Sequence, residues 1–254
     1  TTINKSTDYF RTKTFTGNGT NDTAITYSES TNMKPDFLWF KNRSQAQSHA
    51  LFDVIRGADK RLISNSAGAE GTEATNLDSF DTNGFTVDNE AIVNGNGNSM
   101  VSWGWKANGA GSANTDGAVS TTVSVNTTAG FSIVKYTGTG TTTNFGHGLG
   151  VKPNVILIKS LSTNDWVMNG DFLGSTTWQH KIILNTNAAK ATANNFNDQA
   201  PTNSVFYLNS AHGTTNGSGT DYIAYCFAEK TGYSKFGSYT GNGNADGTFV
   251  YTGF

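Results

Sequence analysis

The feature that most restricts how this chain can fold is that it repeats itself. Met33-Lys34-Pro35-Asp36-Phe37-Leu38-Trp39-Phe40-Lys41 aligns with Val151-Lys152-Pro153-Asn154-Val155-Ile156-Leu157-Ile158-Lys159. Each is a Lys-Pro turn leading into an unbroken apolar run, the pattern of a strand buried on both faces. Upstream, Phe15-Thr16-Gly17-Asn18-Gly19 matches Tyr136-Thr137-Gly138-Thr139-Gly140. Downstream, Phe85-Thr86-Val87 parallels Phe206-Tyr207-Leu208. Beyond these, Asn94-Gly95-Asn96-Gly97 and Val101-Ser102-Trp103-Gly104-Trp105 parallel Asn216-Gly217-Ser218-Gly219 and Ile223-Ala224-Tyr225-Cys226-Phe227. Landmarks that recur in one order at a near-constant offset argue for a duplicated unit. The opening cassette returns once more, as Gly232-Tyr233-Ser234 followed by Tyr239-Thr240-Gly241-Asn242-Gly243, and stops at Phe254 before a third Lys-Pro turn. Either the polypeptide continues, or this hairpin completes the sheet of the second unit.

These landmarks divide the chain into a first module, residues 1–107, a connecting segment, 108–130, a second module, 131–231, and a partial third repeat, 232–254. The connecting segment is rich in Gly, Ala, Ser, Thr and Asn and holds one alternating stretch, Val119 to Val125, read as an extra strand. Charged residues make up only 14% of the chain, against about 25% in ordinary soluble proteins. Gly, Asn, Ser and Thr replace them, residues that make turns and strands at the expense of helix. The expected fold is all-β: two tandem β-sandwich (jelly-roll-like) modules plus the start of a third. Helix is expected only as a turn or two at Gln45 to Asp53 and Thr186 to Ala193, and Ala67 to Thr75 as an exposed loop.

A net charge of -2 gives no basic patch for nucleic acid or an anionic membrane. No stretch approaches the roughly 20 apolar residues of a membrane helix, and the residues from Thr1 lack a signal-peptide core. The single cysteine, Cys226, lies in an apolar run and reads as a buried, inert thiol. His147, between two glycines, reads as a turn residue, because His49, His180 and His212 lack ligand spacing around it. The acidic region Glu70, Glu73, Asp78, Asp81, Asp88 and Glu90 lacks the alternation of a calcium loop and reads as a solvated face. Gly95-Asn96-Gly97 precedes a strand, so it is no phosphate loop, and no Gly-x-Ser-x-Gly elbow occurs. The residues therefore supply no catalytic, cofactor or metal set, and the chain reads as a non-enzyme. Trp39, Trp103 and Trp105 fall in core strands. Trp166 and Trp178 sit among amide and hydroxyl residues, where a half-buried ring would seal a sheet edge and an exposed one could stack on a sugar, and these two are the candidate glycan contacts.

The run Lys34 to Ser44, with Leu51-Phe52-Asp53-Val54-Ile55-Arg56-Gly57 and Ser79-Phe80-Asp81-Thr82-Asn83-Gly84-Phe85, resembles a module of bacteriophage structural proteins. The second half, from Gly146-His147-Gly148 through Tyr225-Cys226-Phe227-Ala228-Glu229, is similar to the same family, tail-fibre-type or virion-associated proteins of phages of marine bacteria. The resemblance covers nearly the whole chain and brings no catalytic motif. It implies a structural role on the exterior of the particle, contact with other virion proteins and assembly as a homo-oligomer, most often a trimer. The alternatives are an adhesin for a host surface glycan and a polysaccharide-cleaving tailspike.

Overall fold

The structure, a computed structural model that describes residues 3–210 and 212–253, is almost entirely β. The first half contains β1 (Phe10–Thr16), β2 (Thr23–Thr26), β3 (Phe37–Asn42), β4 (Ala50–Asp53), β5 (Gly57–Ile63), β6 (Gly71–Thr72), β7 (Leu77–Asp81), β8 (Gly84–Val87) and β9 (Ser99–Trp105), with one helical turn, α1 (Ala91–Asn94). One sheet runs β1-β9-β3-β4-β5-β6 and a smaller one, β2-β8-β7, lies over it. The outer strands pair in jelly-roll fashion, β1 with β9 and β2 with β8. Between the sheets lie Ile25, Leu38, Phe40, Phe52, Phe85 and Val87, with Phe40 edge-on to Phe85 at 5.1 Å. Burying each such side chain stabilises the fold by about 1.5–3 kcal/mol.

The connecting segment forms β10 (Ser112–Asn114) and β11 (Thr121–Asn126). The second half follows with β12 (Phe131–Thr137), β13 (Thr143–Gly146), β14 (Val155–Ser160), β15 (Val167–Gly170), β16 (His180–Ile183), β17 (Ala191–Thr192), β18 (Val205–Leu208), α2 (Gly213–Asn216) and β19 (Asp221–Phe227). Its large sheet runs β10-β11-β12-β19-β14-β15-β16-β17, and β13-β18 makes the small one. Without β10 and β11, the large sheet has the strand order of the first half's large sheet, while the small sheet lacks a counterpart of β7. The register agrees as well: Trp105 stands opposite Phe10 and Phe37, and Phe227 opposite Phe131 and Val155.

The glycine motifs hold these matching strands together. After β1, Gly17 N donates to Asn98 O (2.9 Å) and Gly19 N to Asn94 O (2.9 Å); after β12, Gly138 N donates to Thr220 O (2.8 Å) and Gly140 N to Asn216 O (3.0 Å). The loop that follows the first strand thus clasps the loop that precedes the last. A Cβ at Gly17 would lie 2.3 Å from Gly95 O, and one at Gly138 2.4 Å from Gly217 O, so the close approach requires glycine. Asn94 and Asn216 complete each clasp, accepting from Asn18 N (3.0 Å) and Thr139 N (2.9 Å) respectively.

Four expectations are corrected. The helical turns lie at α1 and α2, whereas Ala50–Asp53 and Ala191–Thr192 are strands. The connecting segment is no free linker: it adds two strands to the second half's sheet, with β11 along β12. The partial third repeat contains no strand among the described residues, so it does not complete that sheet; Phe254 lies outside them. Finally, Ala67 to Thr75 is more than an exposed loop, because it carries β6 and Ala67 O accepts from Asn164 N (2.8 Å) of the other half.

The halves pack large sheet against large sheet. Trp105 on β9 meets Phe131 on β12 with ring centroids 6.4 Å apart, and Phe37 on β3 stacks on Tyr225 of β19 at 4.4 Å. Leu51, Leu62, Ile133, Leu157, Trp166 and Ile223 fill the rest of this seam. Each large sheet is therefore covered on both faces, by its own small sheet and by the other half. That is why β3 and β14 are apolar without alternation.

Candidate functional site

The seam concentrates the chemically unusual groups of the molecule. β4 delivers Asp53 at its end, and the turn into β5 brings Arg56 back over it. Asp53 Oδ1 accepts from the backbone N–H of Ile55 (3.1 Å) and Arg56 (3.0 Å), an aspartate-capped turn. Its Oδ2 accepts from Arg56 Nε (2.5 Å) and from the Tyr225 hydroxyl of the other half (2.7 Å). The guanidinium also donates to Lys60 O (2.8 Å), Leu51 O (3.2 Å) and Glu70 Oε2 (3.2 Å). Burial opposes charge on Arg56, but Asp53, Tyr225 and Glu70 outweigh it and hold its pKa above the ordinary arginine value. Burial raises the Tyr225 hydroxyl well above the usual tyrosine range. Every strong donor and acceptor is satisfied internally, so the cluster ties the halves together and presents nothing to a substrate.

Beside it the seam opens into an apolar cleft. One chamber, of ≈ 350 Å³, is lined by Phe10, Trp105, Phe131, Phe227, Tyr233 and Phe236. A second, of ≈ 260 Å³, lies among Trp39, Leu157, Met168 and Leu184 and shares Phe227 and Phe236 with the first. These walls can receive apolar groups and carry no constellation for bond chemistry.

Both candidate glycan contacts are corrected. Trp166 is fully buried in the seam and its indole N–H donates to Ile63 O (2.9 Å) of the first half. Trp178 is fully buried against Phe196, with its N–H on Asp171 Oδ1 (2.9 Å). Neither ring is open to a sugar. Their polar neighbours in sequence are the loops that carry them, while the indoles point inward to satisfied partners.

His147 is the turn residue expected: buried, accepting from Leu149 N at Nδ1 (3.2 Å) and lying 3.2 Å from Thr202 O at Nε2. Burial lowers its pKa. Cys226 is buried, which pushes its thiol up to about 12. The acidic residues disperse onto separate partners: Glu70 on Arg56, Glu73 on Arg61 (2.6 Å), Asp81 on Ser79 (2.7 Å) and Thr86 (2.8 Å), and Asp88 on Asp22 N (3.0 Å). Among the described residues no three potential metal ligands converge.

Sequence reasoning missed two groups. Asp53 lies within the apolar stretch Leu51 to Ile55 and Arg56 directly follows it, and a charged pair in such a run was the available signal. Lys159 is fully buried at the end of β14, donates to Ser160 O (2.6 Å) and Ser162 O (2.9 Å), and has its pKa lowered by burial to about 8. Lys41, at the matching place near the end of β3, donates to Asn42 O (2.8 Å) and Gln47 O (2.7 Å), so both lysines organise turns.

Residues 5–254 match the family described as a domain of unknown function, DUF7483. The chain belongs to the DUF7483 family. The match spans the connecting segment and both halves, the same extent over which the seam makes one packed body of the DUF7483 chain. No curated protein and no solved structure matches it.

Proposed function

We propose that this chain is a non-enzymatic structural component of the exterior of a phage particle, a tail fibre or another virion appendage, where it acts as a rigid spacer in contact with other virion proteins. The observation that carries this reading is the seam. Two sandwiches of matching strand order are fused through stacked aromatics and the Asp53–Arg56–Tyr225 cluster, so bending the body between its halves would expose apolar rings and a buried charge. A part that must transmit force or hold a fixed distance needs that stiffness. The matching strand orders also favour descent of the halves from one duplicated module. The sequence resemblance to tail-fibre-type proteins supports the location.

Immunogold labelling of intact particles with antibody against the purified chain is the test. Gold on an external appendage is the expected result. Particles that contain no copy of the chain would refute the assignment.

A further inference from the structure

Sheet edges in this molecule are short, with one exception. Among the described residues, β6 and β17 are two residues long, β10 three, β2, β13 and β18 four, and β7 five with a bulge. β1 is an edge strand of seven residues in unbroken register with β9. Tyr9 O accepts from Lys106 N and Gly17 N donates to Asn98 O, so the odd-numbered residues of β1 face β9. In an antiparallel ladder the intervening residues, Phe10, Thr12, Thr14 and Thr16, then turn their N–H and C=O groups outward. Among the described residues no second strand pairs with them, and β1 has no proline or bulge to discourage pairing.

The matching edge in the second half is covered. There β11 lies antiparallel along β12, with Asn126 opposite Phe131 and Thr122 opposite Lys135. The fold thus accepts an extra strand at this position. The chain also holds a strand-like segment with no ladder. Of the five exposed large apolar side chains among the described residues, four lie in the tail: Tyr239 (70%), Phe249 (87%), Val250 (47%) and Tyr251 (74%). The tail repeats the sequence that forms β1 and β2, yet Gly241 and Gly243 have open space around them where Gly17 and Gly138 are clasped.

We infer that the open edge of β1 takes an added antiparallel strand from residues 247–252 of a second copy of this chain. A second copy is the occupant because, within one chain, residues 247–252 turn back on the tail itself: Thr248 donates its hydroxyl to Thr240 O (2.9 Å), and Thr252 and Gly253 lie beside Glu229 to Gly232. The tail residues that meet the start of β1 are instead Tyr233, against Tyr9, and Phe236, in the chamber with Phe10. The added strand gains the four outward backbone residues of β1 and brings Phe249 and Tyr251 to the rim of the cleft at Phe10. Edge and tail are different surfaces, so the contact closes by reciprocal exchange between two copies or around a ring such as a trimer. The inference does not depend on the particle assignment.

The test uses the full chain, Thr14→Pro and Tyr251→Pro in light scattering at micromolar concentration; Tyr251, on the cleft face, stands opposite an outward-bonding residue of β1 and so donates its N–H to it. Thr14→Pro removes an outward N–H while sparing the bonds to β9, a position where an edge strand tolerates proline. The wild type is expected as an oligomer, and each variant at the 27.0 kDa of one chain. An equal mixture of the two is expected to form 1:1 pairs, because one variant keeps its tail and the other its edge. A monomeric wild type, oligomers that persist in either variant, or a mixture that stays monomeric would overturn the inference. Should Thr14→Pro fail to fold, hydrogen exchange at Thr14 decides. Faster exchange in Tyr251→Pro than in the wild type supports the added strand, and equal rates refute it.

Discussion

Replacing Arg56 with Met removes the cation on which the seam's polar cluster is built. Asp53 would keep the backbone N–H groups of Ile55 and Arg56 and the Tyr225 hydroxyl, but it would lose its 2.5 Å ion pair while fully buried. The carbonyls of Leu51 and Lys60 would lose their donor as well. Removing one partner of a buried pair costs about 3–5 kcal/mol. For a chain of this size each kcal/mol lowers Tm by about 2–4 °C, so the expected loss is roughly 6–20 °C. Differential scanning calorimetry at neutral pH measures it. Replacing both members, as Asp53→Leu with Arg56→Met, removes the stranded charge and should recover a large part of that loss. A shift below about 2 °C for the single variant, or a double variant no more stable than the single one, would refute the account of the seam as held by a satisfied buried charge.

Gly17→Ala should lower Tm by several degrees, because its Cβ would lie 2.3 Å from Gly95 O, whereas Gly241→Ala, with open space around it, should change Tm by less than the error of a thermal melt. Trp166→Phe leaves the buried Ile63 carbonyl without its donor and should cost about 1–3 kcal/mol in denaturant unfolding. Burial depresses the pKa of His147 below its unfolded value of 6.5, so its share of stability is present above that pH and is lost as pH falls toward the folded value. Stability should accordingly decline below about pH 6.5, and His147→Gln should flatten that limb in pH-dependent melts. Cys226 should resist a thiol reagent in the native protein and react at once in guanidinium; rapid native labelling would contradict its burial.

Local chemistry sufficed for much of this protein. The two apolar strand runs, the glycine loops and the buried cysteine were legible, because each depends on the backbone demands or hydrophobicity of neighbouring residues. The two large sheets share a strand order, and the matched landmarks of the sequence fall on corresponding strands. What neighbours could not decide was which surface faces which. Trp166 and Trp178 sit in polar sequence and read as exposed, yet distant chain, Ile63 O for one and Phe196 for the other, covers their rings. The connecting segment reads as a linker until β12 offers it an edge to pair with. The tail carries the pattern of the opening cassette, yet among the described residues it forms no strand. Face-to-face docking of the halves likewise turned Asp53, Arg56 and Tyr225, residues 172 apart at the extreme, into one buried cluster. A strand or a buried pair exists only when its partner is present, and that partner is fixed by the tertiary fold.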